Sequence, residues 1–322
     1  MQYAVGIDLG GTFVKAGLVA EDGGISHATQ MATDANAGGP AVARQIAAIA
    51  RRIFDASGTR VVGIGLGSPG LINAETGVVD FSPNFEGWTH VPLAQYVRAE
   101  LGDLAHLPVF LENDVNAMAL GELTYGAGRG TRNMVAMTLG TGVGGGVVVD
   151  GNVYHGATNT AGEIGHMTVV PDGRRCGCGN DGCLEALVGT AGLLARTREA
   201  IASGRSSALA PYRDDLTPRR IADAANDGDE LARGIFAETG RYIGIVLASL
   251  ANLLNPEMAV IGGGIAAAGE DLLFRHIRGE VRRRAMDIPA NAMRVVPAAL
   301  GNDAGIVGSA AVALRAAGAV LP

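Results

Sequence analysis

All three cysteines of this sequence, Cys176, Cys178 and Cys183, stand in one glycine-rich run, and His166 lies a short way upstream. Three cysteines cannot close a full set of disulfides, and thiols gathered this tightly point to a metal rather than to oxidation. Sulfur and imidazole donors together suit tetrahedral Zn²⁺. A set closed by protein ligands leaves no position for an activated water, so such a metal would be structural. The plainer alternative is a group of buried free thiols. Glu163 and Glu185 flank the set; a metal would fix both carboxylates in space, whereas ordinary surface glutamates need no such explanation.

Two glycine turns offer backbone N–H groups to an anion. The first, Asp8-Leu9-Gly10-Gly11-Thr12, is followed by Lys15, the only lysine in the chain. That ammonium is either a point charge kept for a phosphate or an accident of composition. Asp8 would hold Mg²⁺ directly or through water, or would simply cap the turn. The second turn, Gly140-Thr141-Gly142-Val143-Gly144-Gly145, formally satisfies the dinucleotide pattern G-x-G-x-x-G. That fingerprint needs a helix after its glycines. Here Gly146-Val147-Val148-Val149 continues as strand and turns at Asp150-Gly151, which excludes a Rossmann site. No G-x-x-x-x-G-K-S/T run is present either, so any nucleotide is held by hairpins.

Glu112-Asn113-Asp114-Val115-Asn116 closes an apolar strand and opens a helix, which is where ligands collect in open α/β sheets. One N-cap would account for one polar side chain. More than one crowds this strand end, so Asp114 either faces a cleft or serves as the cap. Near the C-terminus Ala259–Ile265 reads as a strand that breaks into Gly262-Gly263-Gly264, where backbone can approach a flat base or ribose.

The elements that must carry these groups alternate strand and helix. Tyr3–Leu9 and Val14–Val19 read as strands around the first turn, Ala41–Phe54 as helix, Val61–Leu66 as strand, Pro92–Leu101 as helix and Pro108–Leu111 as strand. Asn133–Leu139 and Val143–Asp150 flank the second turn, and Leu184–Leu254 is mostly helical. Ile7–Val19 (IDLGGTFVKAGLV) and Met137–Val149 (MTLGTGVGGGVVV) have the same length and the same Leu-Gly before the turn. Either short glycine hairpins look alike, or an α/β domain has been duplicated so that each copy offers one hairpin to a shared cleft. No Pro-rich or charged linker intervenes, and the boundary is expected near Val115 as a hinge.

A chain of 322 residues, 48% hydrophobic, can bury two cores. With only 18% charged residues and a net charge of -7 it has no basic field for nucleic acid or an anionic membrane, so a small-molecule partner is expected. Met1 leads into YAVGIDLG without a basic or long apolar leader, and no later run is apolar enough for a span; the expected location is the cytoplasm.

Taken together these motifs resemble the ROK family of bacterial sugar kinases and repressors, from GIDLGGTFVKAGL through LENDVNA, LGTGVGGGVVVDGNVYHGATNTAGEIGH and CGCGNDGCLE to VIGGGI and GNDAGIVGSA. The resemblance implies the two-lobed, actin-like α/β fold shared by sugar kinases, heat-shock chaperones and actin, with duplicated domains and an interlobe cleft. It divides the chain into a smaller lobe, 1–115, joined by a C-terminal helix at about 302–322, and a larger lobe, 116–301. It implies ATP with Mg²⁺ as donor, a structural Zn²⁺, a hexose acceptor with glucose favoured, and a homodimer. By the same resemblance Asp8, Gly10, Gly11, Thr12 and Lys15 form the first phosphate segment, Thr141 and Gly142 the second, and Gly262, Gly263 and Gly264 the adenosine segment. Asp114 matches the catalytic aspartate; Gly70, Asn84, Asn113, Glu163, His166 and Glu185 match sugar-binding positions; His166, Cys176, Cys178 and Cys183 match the zinc site. Family repressors carry an additional N-terminal helix-turn-helix domain, for which the strand beginning at Tyr3 leaves no room. Phe13 departs from the lysine common after the threonine, which places the turn's positive charge on Lys15. Kinases for fructose, mannose, N-acetylmannosamine or N-acetylglucosamine, a polyphosphate-dependent glucokinase, and a sugar-sensing regulator are the alternatives.

Overall fold

A computed structural model describes every residue, Met1–Pro322. Its first strands are apolar at nearly every position because both their faces are covered. β1 (Tyr3–Leu9) and β2 (Phe13–Ala20) pair antiparallel across the first glycine turn, with Asp8 opposite Lys15, and β3 (Ile25–Ala32) pairs antiparallel with β2. After α1 (Gly39–Ser57), β4 (Ile64–Ser68) lies parallel to β1. The short strands β5 (Leu71–Asn73), β6 (Val78–Phe81) and β7 (Thr89–Val91) make a separate small sheet. α2 (Leu93–Glu100) leads to β8 (Val109–Asn113), parallel to β4, and α3 (Asp114–Tyr125) begins where β8 stops. The sheet order is β3-β2-β1-β4-β8.

A second five-stranded sheet, β11-β10-β9-β12-β13, has the same plan. It is formed by β9 (Met134–Leu139), β10 (Val143–Val149), β11 (Asn152–Val153), β12 (Met258–Gly262) and β13 (Arg294–Pro297), with β12 parallel to both β9 and β13. The matching orders bear out the duplication suggested by the two hairpins. Between the strands run α4 (Leu184–Val188), α5 (Thr190–Ala202), α6 (Pro218–Asn226), α7 (Glu230–Leu254), α8 (Arg275–Arg284) and α9 (Asp287–Ala292), and α10 (Ala304–Ala316) closes the chain. No helix is long and apolar enough to cross a membrane.

The chain forms two compact units: Met1–Gly130 with Val147–Ala161 and Ala299–Pro322, and Thr131–Gly146 with Gly162–Ala298. The break expected near Val115 falls inside α3, which stays whole with the first unit because it packs along its length on α10. The small β5–β7 sheet was not legible in the sequence, since strands this short, set among Asn, Pro and Gly, show no sustained alternation.

Alternate residues of β1 face two different cores. Val5, Ile7 and Leu9 join the apolar face of α1, whose buried Val42, Ile46, Ile49 and Ile53 recur at helical spacing. Ala4, on the opposite face, packs with Ile306, Ala310 and Leu314 of α10. On that face the helix touches backbone directly. A Cβ at Gly6 would stand 2.0 Å from Ile306 O, one at Gly65 1.7 Å from Ser309 O, and one at Gly308 1.8 Å from Ala117 O of α3. Because the obstructing atoms are backbone on rigid elements, no rotamer change relieves them. Gly65→Ala is therefore expected to destabilise the protein by about 3 kcal/mol or more, seen as a melting temperature lower by about 6 °C or more. An unchanged melting curve would show that α10 can shift outward.

Candidate functional site

In the first unit the turn after β1 is closed by Gly10 N–H donating to Phe13 O at 2.9 Å, and the Thr33 hydroxyl donates to Gly10 O at 2.7 Å. Thr33 N–H also donates to Thr12 O, so the residue that follows β3 braces the turn. Asp8 and Lys15 are cross-strand partners. Burial raises the Asp8 pKa above the usual carboxylate value, and the nearby Lys15 ammonium pulls it back. A Cβ on Gly11 would lie 3.7 Å from Asn84, which places the Asn84 side chain beside the same turn.

The strand end carrying Asp114 divides its polar work. Asn113, not Asp114, is the N-cap: its Oδ1 accepts from Val115 N–H at 2.9 Å and Asn116 N–H at 3.0 Å. Its Nδ2 donates to Gly70 O at 3.1 Å. Gly70 has φ 113, and a Cβ there would meet Phe81 O at 2.2 Å, so the position requires glycine. Asp114 occupies the first helical turn, half-buried, with Oδ1 accepting from Val115 N–H at 3.0 Å. Beneath it Glu112 is buried: Oε1 accepts from Asn113 N–H and Asn116 Nδ2, and Oε2 lies 2.7 Å from His155 Nε2. That hydrogen bond holds the His155 pKa above the usual imidazole value, against the effect of burial.

In the second unit one carboxylate joins the second glycine turn to the cysteine cluster. Glu185 Oε2 accepts from Val143 N–H at 3.0 Å, and its Oε1 lies 3.8 Å from Cys176 Sγ. The turn is held from below by Thr190, whose N–H and hydroxyl both donate to Gly140 O, and Thr141 is left exposed. The donor atoms of His166, Cys176, Cys178 and Cys183 all lie within 4.8 Å of one another. Cys178 Sγ and Cys183 Sγ are 3.7 Å apart, and Cys176 Sγ is 3.6 Å from His166 Nδ1. Zn–S bonds of about 2.3 Å and Zn–N bonds of about 2.0 Å give tetrahedral edges of about 3.5–3.8 Å, so the donors fit zinc in type and spacing. Cys183 directly precedes α4, which carries Glu185. His166 turns Nδ1 to the cysteines and Nε2 toward Glu163 Oε2, 3.9 Å away. Glu163 keeps one side exposed, yet burial of the other raises its pKa, opposed by His166 and reinforced by Glu185.

Gly262 ends β12, and Gly263 follows with φ 95; a Cβ there would strike Leu139 O at 2.3 Å. The segment thus lies against the end of β9, where the second glycine turn begins. Gly264 opens onto a pocket of about 440 Å³ lined by Pro218, Arg219, Asp223 and Asn226 of α6, with Phe236 and Ile265.

The chain matches the ROK family over residues 4–316. It is 40% identical to the glucokinase of Thermotoga maritima, with 96% of each chain covered. Its identity to the glucokinase of Halalkalibacterium halodurans is 39%, over 95% of this chain and 93% of that one. Among solved structures, a ROK family glucokinase from Streptomyces griseus in complex with glucose and AMPPNP superposes with a TM-score of 0.82 at 35% identity, covering 97% of this chain and 99% of that one.

Sequence reasoning passed over Glu112 as a functional support and His155 altogether. A carboxylate inside an apolar strand was the available signal for the first, since such a group is buried only with partners. It also left open which residue caps α3, and the geometry assigns the cap to Asn113. Asn113→Ala should therefore lower stability by about 1–2 kcal/mol in denaturant unfolding, while Asn113→Asp, which keeps the acceptor, recovers most of that. Equal stability of the Ala variant and the parent would mean that α3 needs no cap here.

Proposed function

The chain belongs to the ROK family, and we propose that it is a glucokinase, transferring the γ-phosphoryl group of ATP to the 6-hydroxyl of glucose with Asp114 as general base. The observation that carries this reading is the division of labour at the end of β8. Asn113 satisfies the helix, so the Asp114 carboxylate is not needed as its cap. The high identity to glucokinases along almost the whole chain supports the same reaction.

In this reading Asp114 takes the 6-hydroxyl proton as that oxygen attacks the γ-phosphorus in line; the bond to the β-phosphate oxygen breaks and ADP leaves. Gly70, Asn84, Asn113, Glu163, His166 and Glu185 hold the sugar hydroxyls. Asn113 has one amide proton left for this after bonding Gly70. Leaving any such buried group unpaired costs about 1–3 kcal/mol, which is what makes a ring of them selective. Gly10, whose own N–H closes the turn, shapes the first phosphate segment; Gly11, Thr12 and Lys15, with Thr141 and Gly142, offer N–H groups, hydroxyls and one ammonium to the phosphates, and Gly262, Gly263 and Gly264 admit the adenosine. Asp8 would hold Mg²⁺, which when bound supplies positive charge at the phosphates. His166, Cys176, Cys178 and Cys183 would hold Zn²⁺, which when bound cross-links the segment from His166 to the start of α4 and so steadies Glu185. We further propose a homodimer, on family grounds, that is cytoplasmic and, from the net charge of -7 and the lack of a basic field, does not bind nucleic acid.

Asp114→Asn should keep glucose affinity, followed by the fluorescence of the single tryptophan, Trp88, and lose at least about a hundredfold in kcat. Turnover near the parent's would remove Asp114 as the base, and a panel of hexoses crossed with ATP and polyphosphate checks the substrate assignment. Elemental analysis should find one zinc per chain, and Cys178→Ser should lose metal and glucose affinity together. Fully active protein without zinc would overturn the metal assignment.

A further inference from the structure

Inside a helix glycine is the costliest residue after proline, and Gly305, in the first turn of α10, has no left-handed backbone angle that would demand it. What it provides is space. A Cβ built at Gly305 would stand 2.5 Å from Asp8 Cγ, 2.7 Å from Asp8 Oδ2 and 2.9 Å from Asp8 Cβ. We infer that Gly305 is a positioning residue for Asp8: the missing side chain holds open the place in which the Asp8 carboxylate stands. This rests on the reading of Asp8 as the phosphate-side carboxylate.

A Cβ at position 305 must be accommodated by movement of the helix, the strand or the aspartate side chain. Retreat of the helix is costly because it would pull the next residues off the backbone they pack on: Ile306 O against Gly6, Ser309 O against Gly65, and Gly308 against Ala117 O. The strand is held on both sides, Asp8 being paired with Lys15 of β2 and Gly67 of β4. Rotation of the Asp8 side chain relieves the conflict at Cγ and Oδ2, and the remaining 2.9 Å to Cβ asks for a small shift of the backbone, so Gly305→Ala turns the carboxylate from its place while the surrounding fold largely stays. The first turn of α10 presents the positive end of the helix dipole to Asp8, and Lys15 faces it across the strands; both attractions weaken when the carboxylate swings away. A displacement on the order of 1 Å at a positioning group costs up to about a hundredfold in rate. The substitution thus separates stability from activity: it removes a poor helix former, yet harms the donor side of the reaction.

The experiment compares Gly305→Ala, Asp8→Ala, the double variant, and Gly279→Ala. Gly279 is a glycine of α8 with nothing within 4 Å of a built Cβ, and it controls for helix propensity. Readouts are the melting temperature without ligands, its shift on adding MgATP, glucose affinity through Trp88 fluorescence, and KM and kcat for ATP across Mg²⁺ concentrations. Gly305→Ala is expected to keep the ligand-free melting temperature and glucose affinity, and to lose at least about tenfold in kcat/KM for MgATP. Gly279→Ala should keep all parental kinetics. The double variant should be no worse than Asp8→Ala, because Gly305 acts only through that side chain. If Gly305→Ala alone does not fold, a folded double variant supports the same steric conflict, and a double variant that also fails to fold overturns it. Parental MgATP kinetics in Gly305→Ala beside a crippled Asp8→Ala overturn this inference alone, as do additive losses in the double variant. Parental MgATP kinetics in Asp8→Ala overturn the reading of Asp8 itself.

Discussion

Carbonyl oxygens of α10 rest on the backbone of β1 and β4, a carbonyl oxygen of α3 rests on the backbone of α10, and these contacts exist only because Gly6, Gly65 and Gly308 have no side chains. Interiors are close-packed and transmit small displacements, so this junction locates two chemical groups at once. Asp8 is the penultimate residue of β1 and stands against the first turn of α10. Asp114 begins α3, which lies along the same helix. The final helix of the chain is thus the reference against which Asp8 and Asp114 are set, although it comes last in sequence.

At the end of β8 neighbouring residues carry different loads. Glu112 is buried and fully engaged with Asn113, Asn116 and His155, and Asn113 caps α3 while tying down Gly70. Asp114 adds one acceptor to Val115 N–H, while the larger share of the structural bonding at this strand end falls to Glu112 and Asn113.

In the second unit the same economy appears in Glu185. It accepts from the glycine turn at Val143 and lies beside Cys176, so the cysteine cluster, α4 and the turn form one connected piece. A metal in that cluster would hold Cys183 at the start of α4, and through α4 position Glu185 and the turn it accepts from, with no open coordination position needed.

Much of this was legible in the residues. The glycine turns and the strand-to-helix step at Asn113-Asp114 are local, set by backbone freedom, hydroxyl and carboxylate chemistry over a few positions. The Cys3His spacing likewise reads directly as a tetrahedral donor set, and the repeated hairpin announced two sheets of one plan. The family resemblance added roles that no spacing implies. What only the tertiary structure decided involves residues distant in sequence. That Asn113 rather than Asp114 caps α3, that His155 pairs with Glu112, that α3 belongs with the first unit, and that Gly305 makes room for Asp8 all depend on which backbone lies against which. A missing Cβ leaves no mark in a sequence beyond the letter G, and its purpose appears only when the atom it would strike is in view.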